Sequence, residues 1–486
     1  MNVVDRVLFQ CGKTPPAVAI CAPGTEFNLV SYARLESFIK NVGRKVLKLG
    51  LSRGEIVAVF VADPILHASI ILGLMRLGIV IISGRNPELP PELNIAAVIA
   101  DNAYPYKASR ILPAGGDWVA GGEKAIETQD IPATNPDDIC QILLTSGTTG
   151  YPKAVALTHA MIAERVLRRY TGLGALMPQC SRVYCGPGFS TGLGAEFIFN
   201  MLWRGGTFFC SGPRTTHDEL FRAFVELEVE SIVSAPAGLA DFIGYYDENP
   251  TCRHRFKAVM SGGSLLSAPL ADRVRSRICS NVVSAYGSSE TGLIASADIH
   301  AISHIPGAVG HVVPGVSVEV VDSGGQSVRP GSEGTLRIRT PGIGTEYFGN
   351  PPESGSAFRD GWFYPGDTGV LTRGRLLIIA GREKAVVNLG GDTIKPEMVE
   401  DVITSFSAIE EAAVFGVLNA LGIEELWSVV VTKSAFDEGA LRAHCASKLP
   451  ANYIPVHFLA APALPRNHMG KLERSRLPEL AKTHLN

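Results

Sequence analysis

Residues 141–157 read QILLTSGTTGYPKAVAL. Gln141–Leu144 is an apolar strand run, Ala154–Leu157 resumes it, and TSGTTGYPK (Thr145–Lys153) interrupts the two. The hydroxyls of Thr145, Ser146, Thr148 and Thr149, the glycines Gly147 and Gly150, and the Lys153 cation form a composition able to wrap phosphate oxygens. No GK[ST] follows a first glycine at the required spacing, so this is not a Walker A loop. Taken alone, the run is also compatible with a surface turn.

Outward from this stretch, Val57–Val61 and Ile79–Ile82 are β-branched runs flanking a helix-period segment, Pro64–Leu77. Strand signals recur at Ala96–Ala100, Ser231–Ala235, Ala258–Ser261 and Val282–Ala285, and this alternation predicts a mostly parallel sheet. Beyond about Gly310, alternating strands between Gly, Pro and Ser turns (Val316–Val321, Gly334–Arg339, Leu376–Ala380) predict an antiparallel or barrel-like part. A composition break at Gly381–Lys384 precedes helix Pro396–Phe406, strands Ala412–Val417 and Trp427–Thr432, helix Asp437–Lys448 and strand His457–Ala460. The expected organisation is an α/β chain with a large domain over 1–380, a hinge at 381–384 and a small mobile α+β domain over 385–486.

With 486 residues, 46% hydrophobic and 19% charged, the chain has the composition of a globular protein rather than a disordered one. Its 44 Lys+Arg against 47 Asp+Glu gives no global attraction to nucleic acid. The apolar run 55–83 is broken by Asp63, Pro64, His67 and Arg76, so no membrane span is expected. The N-terminus lacks a secretory pattern, and nine scattered cysteines without CxxC suit a reducing compartment, so a cytoplasmic location is expected. No HExxH or GxSxG occurs.

Two further loops follow strand signals. AYGSSETG (Ala285–Gly292) contains one acidic side chain, Glu290, and a carboxylate beside phosphates suggests Mg²⁺. DGWFYPGDTG (Asp360–Gly369) presents Asp367 on a Pro-Gly turn, where it can accept from a ribose diol or serve only the turn.

These three stretches, together with GREKAVVNLGGDTIKPEMVE (Gly381–Glu400) and LPRNHMGK (Leu464–Lys471), resemble the ordered core motifs of the adenylate-forming superfamily of acyl- and aryl-CoA synthetases, peptide-synthetase adenylation domains and beetle luciferases. The resemblance implies an AMP-forming ligase that converts a carboxylic acid and ATP to an acyl adenylate and passes the acyl group to coenzyme A. A carrier-protein phosphopantetheine is the alternative acceptor, and a non-catalytic ATP- or acyl-binding protein the alternative of another class. The resemblance implies that Thr145 to Lys153 hold the ATP phosphates, that Thr148 and Glu290 hold Mg²⁺, and that Tyr286 lies near the adenine. Asp367 and Arg382 would contact the ribose, with Gly262, Gly287, Ser288 and Ser289 completing the nucleotide site.

Lys384 would be the hinge, and Gly390 and Gly391 would let a pantetheine arm pass. Lys471 would be catalytic, together with Glu290 and Thr148: joining a carboxylate to an anionic phosphorus needs cationic charge at the reacting atoms. Phe189, Ser190, Gly194, Ala235 and Gly263 fall where similar enzymes line the acyl pocket, though close helix packing explains the small residues equally well. The chain departs from the pattern at Pro187–Ser190, PGFS, which lacks the histidine common in CoA ligases. It also has no aspartate between Tyr184 and Phe199, which argues against an α-amino acid substrate.

Overall fold

The computed structural model describes residues 2–84, 89–101, 108, 110–121, 133–145, 152–174, 176–250, 254–382, 386–433, 437–465, 472 and 474–482. The sequence expectations at Ser146–Gly150, Lys384 and Lys471 lie outside these residues.

The segment most apolar in the sequence is the core of a six-stranded sheet. Asp63 caps the following helix, its Oδ1 accepting from the amides of Ile65 and Leu66 at 2.9 and 3.0 Å. The helix Pro64–Arg76 is buried on nearly every side, as expected of an apolar helix inside a large domain. Strands Ile111–Pro113, Ile95–Ala100, Ile56–Phe60, Val80–Ser83 and Ile139–Thr145 run parallel, and Lys153–Thr158 closes the edge antiparallel. No helix among the described residues is long and apolar enough to cross a membrane.

A second sheet of fifteen strands has a parallel centre, Val18–Cys21, Thr207–Phe209, Arg182–Cys185, Ser231–Ser234, Ala258–Gly262 and Val282–Ser288. From Gly292–Asp298 onward the strands are antiparallel and extend the same sheet. The antiparallel part expected after Gly310 is therefore present and begins earlier. It stays an open continuation of the sheet, with no closed barrel among the described residues, because its strands find hydrogen-bond partners on the existing edge.

Residues 387–481 carry their own apolar clusters around Val399, Ile403, Val414 and Val430, and around Phe415, Trp427 and Leu477. A three-stranded sheet, Ile409–Leu418, Glu424–Thr432 and His457–Ala460, is covered by helices Pro396–Thr404 and Glu438–Ala446. The eight described cysteines are buried and unpaired.

Candidate active site

Thr145 pairs with Lys153 across the hairpin Ile139–Thr145/Lys153–Thr158, so residues 146–152 fall between the two paired strand ends. Lys153 Nζ lies 2.8 Å from Glu353 Oε2 and 4.5 Å from the centre of the Tyr347 ring. Tyr347 hydroxyl donates to Glu290 Oε1 at 2.9 Å. Burial, and then the Glu290 charge, push the Tyr347 phenol above its ordinary range, which keeps the proton on the donor. A cation, a phenol and two carboxylates thus converge beside the paired strand ends Thr145 and Lys153.

Glu290 is 7% exposed, and its backbone is held by a set of arginines on the helix His159–Leu173. Arg165 donates from Nε to Gly342 O at 2.8 Å, from Nη1 to Ser289 O at 2.8 Å, and from Nη2 to Glu290 O at 2.6 Å. Arg168 reaches Thr340, Pro341 and Thr291, and Arg169 pairs with Glu196 of the helix Gly192–Leu202. Burial pulls Arg165 down to about 10, with Glu196 opposing it, so the guanidinium stays charged at neutral pH. Five guanidinium donors in a fixed fork suit a loop that presents several carbonyls at once. Sequence reasoning missed Arg165, Arg168, Arg169, Glu196, Tyr347 and Glu353. The available signal was three arginines at i, i+3 and i+4 on one helix, a spacing that places them on one face.

The strand Val282–Ser288 brings Tyr286 to the same mouth, where its hydroxyl donates to Asp367 Oδ2 at 2.5 Å. Asp367 is 3% exposed and opposes Arg382 in the register of Asp367–Leu371 with Leu376–Arg382. Asp367 and Arg382 therefore stand on adjoining strands, and Tyr286 reaches Asp367 from another strand of the same sheet. Gly262 ends the strand Ala258–Gly262 beside Ala285, while Gly287 and Ser288 pair with Leu293 and Gly292. The Ser288 amide and hydroxyl both reach Thr291 Oγ1, at 3.3 and 3.1 Å, which fixes the turn carrying Ser289 and Glu290.

Glu290 is suited to Mg²⁺: it is a hard carboxylate, and among the described residues no hydrogen bond reaches its Oε2. No cluster of three metal-type side chains occurs among the described residues. One carboxylate plus substrate phosphates is the usual way proteins hold this ion.

The loop at Gly390 and Gly391 sits on the carboxyl ends of the parallel strands. Gly390 O accepts from the Ala237 amide at 3.3 Å, and Asn388 Nδ2 donates to Gly263 O at 3.4 Å. Both glycines have positive φ, +73° and +132°, and an added Cβ would come within 2.6 Å of Ala237 Cβ or Ala235 Cβ. Only residues without a side chain permit this approach. Ser267 adds a hydrogen bond to Leu421 O on the same face. The structure thus brings Ala235 and Gly263 to Gly390 and Gly391.

Phe189, Ser190 and Gly194 sit differently. Phe189 is buried between His67 and Phe208, ring centres 5.5 Å from each. A Cβ on Gly194 would meet the carbonyls of Gly188 and Pro187 at 2.2 and 2.4 Å, so this glycine has a packing role independent of any ligand. Ser190 is half-buried at the start of the same turn.

The AMP-binding enzyme family matches residues 9–348, and its C-terminal domain matches residues 398–471. The chain is 26% identical over 514 residues to the 4-chlorobenzoate–CoA ligase of an Arthrobacter species, covering 99% of this chain and 95% of that one. Its fold superposes at TM-score 0.83 on o-succinylbenzoate CoA synthetase from Bacillus subtilis bound to a product analogue, with 21% identity and 98% of each chain covered. The same synthetase in complex with AMP superposes at 0.69 over 97%. A mutant of the amide bond synthetase McbA from Marinactinospora thermotolerans also gives 0.83, at 21% identity and 99% coverage. With its larger match spanning well over half of the sequence, the chain belongs to the AMP-binding enzyme family.

Proposed function

We propose that the chain is an AMP-forming acid–thiol ligase: it activates a carboxylic acid with ATP to an acyl adenylate and transfers the acyl group to coenzyme A. The observation that carries this reading is the seating of Gly390 and Gly391 on Ala235, Ala237 and Gly263, in the mouth that also holds Tyr286 and Asp367. Glycine backbone at this contact would leave room, once the contact opens, for a thiol on a slender arm.

In the first half-reaction, the carboxylate attacks the α-phosphorus and pyrophosphate leaves. Residues 145–153 would hold the phosphates, and Glu290 and Thr148 would hold Mg²⁺, which supplies charge neutralisation when bound. Asp367 would accept from the ribose hydroxyls and Lys471 would bridge the reacting groups. A hinge at Lys384 would then exchange Lys471 for the glycine loop, so that domains 1–380 and 385–486 move as bodies.

The test is carboxylate-dependent ATP–pyrophosphate exchange over short-chain, long-chain and aryl acids, followed by product analysis with CoA, an amine and a carrier protein as acceptors. Exchange with one acid class and acyl-CoA as product is expected, with Lys471→Ala losing roughly 10²–10³ in exchange rate. ATP binding without exchange for any acid would overturn the reading, and an amide as sole product would replace the acceptor.

A further inference from the structure

A cavity of about 270 Å³ lies between the end of the helix His159–Leu173, the helix Gly192–Leu202 and the start of the strand Arg182–Cys185. It is at the amino end of that strand, whereas the loops described above gather at the carboxyl ends of its neighbours. Leu173, Met177, Val183, Phe197 and Met201 give it an apolar body. Its polar lining is cationic: Arg169 is 4% exposed and Arg204 is exposed at the mouth over the Tyr170 ring.

Arg169 spends Nε and Nη2 on Glu196, but its buried Nη1 has no acceptor among the described residues. An unmet buried donor is costly, more so on a charged group, so a matching acceptor is favoured at this position. Arg165, Arg168 and Arg169 share the carboxylate Glu196 and perturb one another, while Glu290 and Glu164 also act on Arg165 and Arg168, so Arg169 is the one of the three that relies on Glu196 for its hydrogen bonds and still keeps a donor free among the described residues. No described carboxylate forms an ion pair with Arg204, whose guanidinium bonds Asn200 Oδ1 and Cys180 O at 3.3 Å each.

We propose that this cavity is a second ligand site, separate from the nucleotide cleft, for a small amphipathic carboxylate whose carboxyl group meets Arg169 Nη1 and Arg204 and whose apolar part packs on Met177, Phe197 and Met201. The volume is near the lower limit of small-molecule pockets, which sets the scale at a compact aryl or short-chain acid. Arg169 and its partner Glu196 form the wall between this site and the 289–292 loop.

The probe is 4-bromobenzoate. Crystals soaked with it should show an anomalous bromine peak in the cavity and a carboxylate on Arg169. Calorimetric titration should show a binding event that weakens by ~10-fold or more in Met177→Trp, which fills the half-buried wall, and in Arg204→Ala, which strips the exposed mouth. Both variants should keep the wild-type melting temperature, and Arg204→Ala carries the test if Met177→Trp fails to fold. Bromine in the cleft alone, an ordered water alone on Arg169 Nη1, or titrations unchanged in Arg204→Ala would each overturn the proposal.

Discussion

The two sides of the candidate cleft are built on opposite principles. On the nucleotide side, the 289–292 loop is fastened by buried guanidiniums, Tyr347 is locked between Glu290 and Lys153, and nearly every polar atom that matters has a fixed partner. On the side of the glycine loop, the contact is made by Gly390, Gly391, Ala235 and Ala237, with two long hydrogen bonds, 3.3 and 3.4 Å, across it and one more from Ser267 to Leu421 O on the same face. A surface of small residues with few directional bonds separates at little cost. A loop with three of its carbonyls on two buried arginines does not. The difference teaches where rigidity is placed: charge is positioned by buried networks, and motion is assigned to an interface that has little to break.

The sharpest way to break this comparison is Arg165→Met, which strands the carbonyls of Gly342, Ser289 and Glu290 inside the protein. It should cost about 3–5 kcal/mol in denaturant unfolding, since removing one partner of a buried charged network leaves the others unpaired. A loss under ~1 kcal/mol would show that the loop is held mainly by the surrounding strands.

Gly391→Val addresses the other side. Its side chain collides with Ala235, so acyl transfer to the thiol should fall by roughly 10² while pyrophosphate exchange and melting temperature stay near wild type. Equal loss of both half-reactions would mean that the contact is needed throughout the cycle.

His159 offers a pH probe of the framework beneath the hairpin. Burial lowers it from its ordinary value to about 4, its Nδ1 accepting from the Val3 amide at 3.3 Å. The neutral form belongs to the folded state and the unfolded chain takes up the proton first. The stability tied to this group is therefore complete above about pH 6.5 and is lost as pH falls towards 4, by up to ~3 kcal/mol. Melting curves of His159→Asn, whose amide oxygen can replace Nδ1 as acceptor, should show a shallower decline over that window; buried His67, also shifted down by desolvation, contributes to what remains.

The smallest effect is expected for Tyr286→Phe. It removes one hydrogen bond to Asp367, worth about 0.5–1.5 kcal/mol, and should raise the KM for ATP a few-fold with little change in melting temperature. A loss confined to stability would make this pair a strut rather than part of the ribose site.

Much of this was readable in one dimension. Period-two and period-3.6 patterns gave Ile56–Phe60, Pro64–Arg76, Ala258–Gly262 and the small unit's helices within a few residues, because each buries an apolar face that local sequence must encode. The order of glycine and hydroxyl loops at strand ends pointed to the family now matched over residues 9–348. What the sequence alone determined was therefore the alternation of elements, the chemistry of the loops and the class of reaction they suit. Only the tertiary structure decided that the antiparallel strands extend the central sheet instead of closing a barrel, that Phe189 packs against His67 and Phe208, and that Arg165 fastens a loop 125 residues away. Those outcomes depend on which surfaces meet across long separations, and a guanidinium looks the same in sequence whether it ends in solvent or on three buried carbonyls.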